Sequence, residues 1–105
     1  MRQRAAERWQ ALVKGEFIRA YGYNTPAFRG VVTADGFRNR FGGAVTWLGA
    51  QVVSVNCEEA ARKCVAAIKL EFKPALSVKK TEPMVNFLDE TWLLEEGQWW
   101  FFQKL

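Results

Sequence analysis

Apolar residues at Ala5, Ala6, Trp9, Leu12 and Val13 recur with the three- and four-residue spacing of one helix face. Arg4, Glu7, Arg8 and Gln10 fall between them and are assigned to solvent. Gly15 can end this helix in a left-handed cap. A shorter helix is expected from Glu16 to about Tyr23, turning Phe17, Ala20 and Tyr21 inward. Asn24-Thr25-Pro26 breaks the chain, and Thr25 and Pro26 suit an N-cap and the first helical position. Thr33-Ala34-Asp35 reads as another start, a cap followed by an acid where the helix dipole favours it. Phe37 and Phe41 then share a face, and Gly42-Gly43 stops the helix. Three helices are predicted in the first forty or so residues.

Beyond them the period falls to two. Val45, Trp47, Val53, Val55 and Cys57 share one parity, and the intervening Gly49 and Gln51 suggest a bend or bulge in a long strand. Between Asn56 and Phe72 two patterns compete. Ala61, Cys64, Val65 and Ile68 fit a helix, whereas Cys64, Ala66, Ile68, Leu70 and Phe72 alternate cleanly with more polar neighbours. The alternation is the better fit and predicts strand, loop, strand. Setting Val53 against Ile68 and Val55 against Ala66 places Cys57 opposite Cys64. Lys79-Lys80-Thr81-Glu82-Pro83 reads as a connection to a strand over Met84–Leu94, and Glu96-Gly97 as a tight turn into Gln98–Lys104. The fold class is therefore α+β, with about four antiparallel strands.

At 105 residues the chain has the size of a single domain over 1–105. Half its residues are apolar, and five Trp with eight Phe supply a large core for this length. The net charge of +4 is uneven: residues 1–55 carry +5 and residues 56–105 carry −1. The basic residues of the first half form no dense run, so solvated helix surfaces explain them better than a nucleic-acid site. Phe37-Arg38-Asn39-Arg40-Phe41 interleaves aromatic and basic residues, but helical spacing turns Phe37 and Phe41 inward together. No nucleic-acid partner is expected. The chain contains no histidine, which removes His-based nucleophile activation and His-ligated metals; two cysteines cannot complete an all-thiolate zinc site, so no metal is expected. No stretch is apolar enough to span a membrane.

Cys57 and Cys64 can close a disulfide across a hairpin, which implies a periplasmic or secreted setting and a leader removed from the native chain. The alternative is two free, buried thiols in a cytoplasmic protein. Trp99, Trp100, Phe101 and Phe102 put aromatic surface on both sides of the last strand. The turn at Glu96-Gly97 aligns Leu94 with Trp99 and Trp92 with Phe101 on one face, leaving Leu93, Trp100 and Phe102 on the other. The first set belongs with the helices. The second needs a cover, which a sheet-to-sheet homodimer would supply unless curvature or neighbouring loops hide it.

Arg8 to Gly15, Ala20-Tyr21 leading to Thr25-Pro26-Ala27-Phe28-Arg29, Phe37 to Phe41, Val53 to Cys64 and Thr91 to Trp100 together resemble the nuclear-transport-factor-2-like, or cystatin-like, superfamily. The similarity is greatest to small bacterial proteins, often exported, of unknown function. It implies three helices packed on a strongly curved sheet, a cone, frequently paired into a homodimer. Trp9, Tyr21, Phe72 and Trp92 would line such a cone and could meet a small apolar ligand. The expected function is a non-catalytic ligand-binding or protein-interaction module without a cofactor. The alternative is an isomerase- or dehydratase-like enzyme in which Tyr21 donates a hydrogen bond and a carboxylate acts as base. Asp35 and Asp89 match no catalytic position and read as a first-turn acid and an exposed strand residue.

Overall fold

The computed structural model describes residues 1–41, 45–58, 60–74 and 83–104. Helices α1 (Arg2–Val13), α2 (Phe17–Tyr21), α3 (Pro26–Val31) and α4 (Ala34–Arg38) precede strands β1 (Val45–Cys57), β2 (Lys63–Pro74), β3 (Met84–Glu95) and β4 (Gln98–Phe102). The architecture is α+β, with the strands paired antiparallel in chain order. The Gly42-Gly43 stop and the Lys79–Glu82 connection lie outside the described residues.

Local chemistry sets the helix boundaries. Gly15 takes φ +77° just after α1, and Glu16 N–H donates back to Ala11 O. Thr25 caps α3 by accepting from Phe28 N–H, with Pro26 in the first turn. Thr33 caps α4 by accepting from Gly36 N–H at 3.1 Å. There are four helices among the described residues, not three. Val32 is extended between α3 and α4, because a residue preparing a new N-cap must leave the helical conformation.

The strand reading of 63–72 holds. β1 meets β2 with Val55 opposite Ala66 and Cys57 opposite Cys64, and those two cysteines form a disulfide. One pairing differs: Val52, not Val53, lies opposite Ile68. Register shifts between Trp47 and Gly49 and between Val52 and Ser54 each insert a residue, so Leu48 and Val53 leave the ladder and are 40% and 44% exposed. The β3–β4 turn has positive φ at Glu96 and Gly97, the geometry a two-residue hairpin requires, and it aligns Leu94 with Trp99 and Trp92 with Phe101.

One face of the sheet packs on the helices. Ala66, Ile68, Leu70 and Trp92 meet Ala5, Trp9, Leu12, Ala20, Phe28 and Phe37 in the core. The outer edge of β4 is covered where Phe101 N–H donates to Tyr23 O and Phe101 O accepts from Thr25 N–H. β1 forms the other edge of the sheet.

The disulfide closes a short hairpin, so replacing Cys57 and Cys64 together by alanine should lower the unfolding free energy by about 2–3 kcal/mol. Urea unfolding with and without reductant checks this, since the double variant should no longer respond to reductant. Intact mass of the unreduced protein should be lighter by two hydrogens than that of the reduced protein.

Candidate functional site

A buried charge pair joins α1 to β3, and hydrophobic periodicity assigned one of its members, Arg8, to solvent. Arg8 lies on the buried side of α1 and is 4% exposed; Glu90, on the inward face of β3 beside Trp92, is 5% exposed. This corrects the expectation that Arg8 faces water. Arg8 Nη1 donates to Glu90 Oε2 at 2.8 Å, and Trp9 Nε1 donates to the same oxygen at 2.8 Å. The guanidinium carbon sits 3.9 Å from the Phe101 ring centroid and 5.5 Å from that of Trp9, so aromatic faces replace part of its hydration.

Burial dominates the electrostatics of both groups. It pushes the Glu90 carboxyl above the usual carboxylate range, although the Arg8 charge and the Trp9 N–H pull in the opposite direction. The Trp92 indole N–H adds a weaker pull from outside hydrogen-bonding geometry. Burial likewise lowers the Arg8 value, against the opposing effect of Glu90. Glu90 Oε1, Arg8 Nε and Trp92 Nε1 have no partner among the described residues.

The four residues proposed from sequence to line a cone share one interior but occupy different settings. Trp9 and Trp92 are buried in the core, whereas Tyr21 and Phe72 pack partly buried against it. Trp9 makes an edge contact with Trp47, with centroids 5.4 Å apart, and Trp92 touches Phe101 at 5.9 Å. The Tyr21 hydroxyl donates towards Val32 O at 2.5 Å and lies 3.0 Å from Arg29 O. Main-chain carbonyls therefore hold the group that the enzymatic alternative needed as a donor. An open groove of about 520 Å³ runs between α1 and β1, bordered by Trp9, Gln10, Val13, Gly49 and Ala50. Asp35 is exposed in the first turn of α4, and Asp89 is exposed on β3. Among the described residues, no group of three Cys, Asp or Glu side chains is placed to hold a metal ion.

Leu93 and Trp100 are paired neighbours on the opposite face, with Phe102 next to them across from Thr91. Phe102 is 43% exposed, while Leu93 and Trp100 are half-buried. Part of the cover on Trp100 comes from within the chain: the Arg4 and Arg29 guanidinium carbons each lie 5.1 Å from its ring centroid. Farther along the sheet, Val85 and Phe87 on β3 are 48% and 64% exposed. No helix among the described residues is long and apolar enough to cross a membrane.

No protein-family model matches this chain, and no curated protein matches it in sequence. Solved structures do resemble it. A SEC-C motif-containing protein from Rhodopseudomonas palustris superposes with a TM-score of 0.68 at 14% identity, over 91% of this chain and 70% of that one. A SEC-C motif-containing protein from Psychrobacter arcticus gives 0.60 at 19% identity, over 91% of this chain. The aligned region spans only 54% of the Psychrobacter protein. At these identities the likeness establishes a shared α+β fold and nothing about activity.

Sequence parity held a signal for Glu90. It lies two residues before Trp92 and four before Leu94, both read as inward-facing, so the same alternation turns its carboxylate into the core. Glu90→Ala should cost about 3–5 kcal/mol by leaving the Arg8 charge buried without its partner. Arg8→Met with Glu90→Leu should recover most of that loss, and chemical unfolding of the two single variants and the double variant measures the coupling. With its pKa raised by folding, Glu90 contributes stability that is present below the ordinary glutamate value and is lost as pH rises through the folded value. Unfolding free energy should fall across that interval in the native protein and vary less in Glu90→Gln.

Proposed function

We propose that this domain is a non-catalytic interaction module that acts as a homodimer, joined through the face of the sheet opposite the helices. The observation that carries the reading is the apolar surface around Phe102 and Leu93, continued on β2 by half-buried Val65. An isologous contact would cover this surface with its own copy. Trp100 belongs at the rim, where Arg4 and Arg29 already lie against its indole.

The cone of the nuclear-transport-factor-2-like superfamily is part of the same proposal. Arg2 Nη2 donates to Val52 O on β1 and Arg4 Nε donates to Trp99 O on β4, both at 2.6 Å. One helical turn thus touches both outer strands, which supports a sheet curled round α1. Trp9, Trp47, Trp92 and Phe101 occupy its interior, so the reading favours contact with another protein over enclosure of a small apolar ligand. The Cys57–Cys64 disulfide supports an oxidising, periplasmic or extracellular setting.

Sedimentation equilibrium of the full chain should show a dimer. Phe102→Asp combined with Leu93→Asp should give a folded monomer whose circular dichroism matches the parent. A parent that stays monomeric up to its highest soluble concentration would remove the homodimer reading.

A further inference from the structure

The geometry points to a binding site for an oxyanion, a phosphate or carboxylate group, formed by Arg4 and Arg29 where both lie against the Trp100 indole of β4. Arg4 comes from α1, Arg29 from α3 and Trp100 from β4, so three elements converge on one indole. Both guanidinium carbons lie 5.1 Å from its centroid, which sets the two positive charges at most about 10 Å apart. Arg4 also lies 4.7 Å from the Tyr23 ring centroid.

Main-chain hydrogen bonds hold each guanidinium in place. Arg4 Nε donates to Trp99 O at 2.6 Å, and Arg29 Nε donates to Asn24 O at 3.0 Å. No hydrogen bond or ion pair among the described residues uses the terminal nitrogens of either side chain. Glu7, the nearby acid on α1, instead accepts from the Tyr23 hydroxyl at 3.1 Å and from Gln3 Nε2 at 3.3 Å. Two guanidinium groups fixed through Nε, with their outer nitrogens unused, match the forked recognition of phosphate and carboxylate. Arg38, by contrast, lies 3.9 Å from Asp35, and Arg19 pairs with Glu16 at 3.0 Å. The site needs only one copy of the chain and does not rest on the homodimer.

The test is a titration of the isotopically labelled full chain with sodium phosphate and separately with sodium acetate, at ionic strength held constant with sodium chloride. Saturable shifts are expected at the Trp100 indole N–H and at the Arg4 and Arg29 Nε–H signals. Arg4→Gln or Arg29→Gln should weaken binding by about tenfold or more. Arg29→Lys should also weaken it, because a point charge replaces the fork. Arg38→Gln should leave it unchanged, and unshifted Trp9 and Trp92 indole signals report that each variant is folded. Saturation by phosphate alone assigns a phosphate-bearing ligand, and saturation by both salts assigns any oxyanion. Linear, non-saturating shifts with both salts, or binding that survives Arg4→Gln with Arg29→Gln in a folded protein, would overturn the site.

Discussion

Helix α1 is fastened to the middle of the sheet by a charge pair that water barely reaches. Arg8 cannot sit in the core without Glu90, and Glu90 meets it only when α1 lies at one rotation and one height against β3. That requirement places Trp9 over the same carboxylate and Phe101 against the guanidinium, so β4 is drawn into the arrangement too. An apolar pair of similar volume would pack as well and tolerate small slips of the helix. A buried ion pair punishes them, because any displacement leaves charge without a partner. Its contribution is to alignment more than to net stability.

The two long edges of the sheet are managed differently. β4 is short and lies beneath the chain at Tyr23 to Thr25, which takes up the Phe101 N–H and carbonyl. β1 is long, and irregular pairing distorts it twice. Unpaired backbone along a straight edge invites other strands, and both arrangements reduce that invitation. The basic character of the amino-terminal half also finds a structural place. Arg2 and Arg4 donate to carbonyls of the two edge strands, Arg8 is buried, and Arg29 and Arg40 lie against aromatic rings. Much of that charge therefore works inside the domain.

Local chemistry made much of the fold legible. Thr25-Pro26 and Thr33 start helices because a hydroxyl beside free N–H groups acts over three residues. Glu96-Gly97 fixes the β3–β4 register, and setting Val55 against Ala66 carries Cys57 to Cys64. Longer-range effects escaped the same reasoning. Arg8 and Glu90 are 82 positions apart, and a charged residue on a helix flank reads as solvated until its partner is known. The exposure of Val53 depends on a bulge rather than on hydropathy. The groups gathered around Trp100 come from three separate elements, each unremarkable in its own stretch of chain.

The two bulges of β1 act like a frameshift and its suppressor. Trp47 faces the helices at an odd position; after the first inserted residue the inward positions are the even ones, Ala50 and Val52. The second insertion restores the original phase, so Val55 packs inward again and Cys57 reaches its partner. Each bulge absorbs its extra residue where it occurs, so the partners on β2 run unbroken from Phe72 to Cys64 while the inward positions of β1 change parity twice. Losing Leu48 or Val53 together with its bulge leaves every neighbour on its own side, whereas straightening a bulge with the residue retained turns the positions beyond it over. Relatives of this domain can therefore lose either irregularity singly, provided the extra residue goes with it.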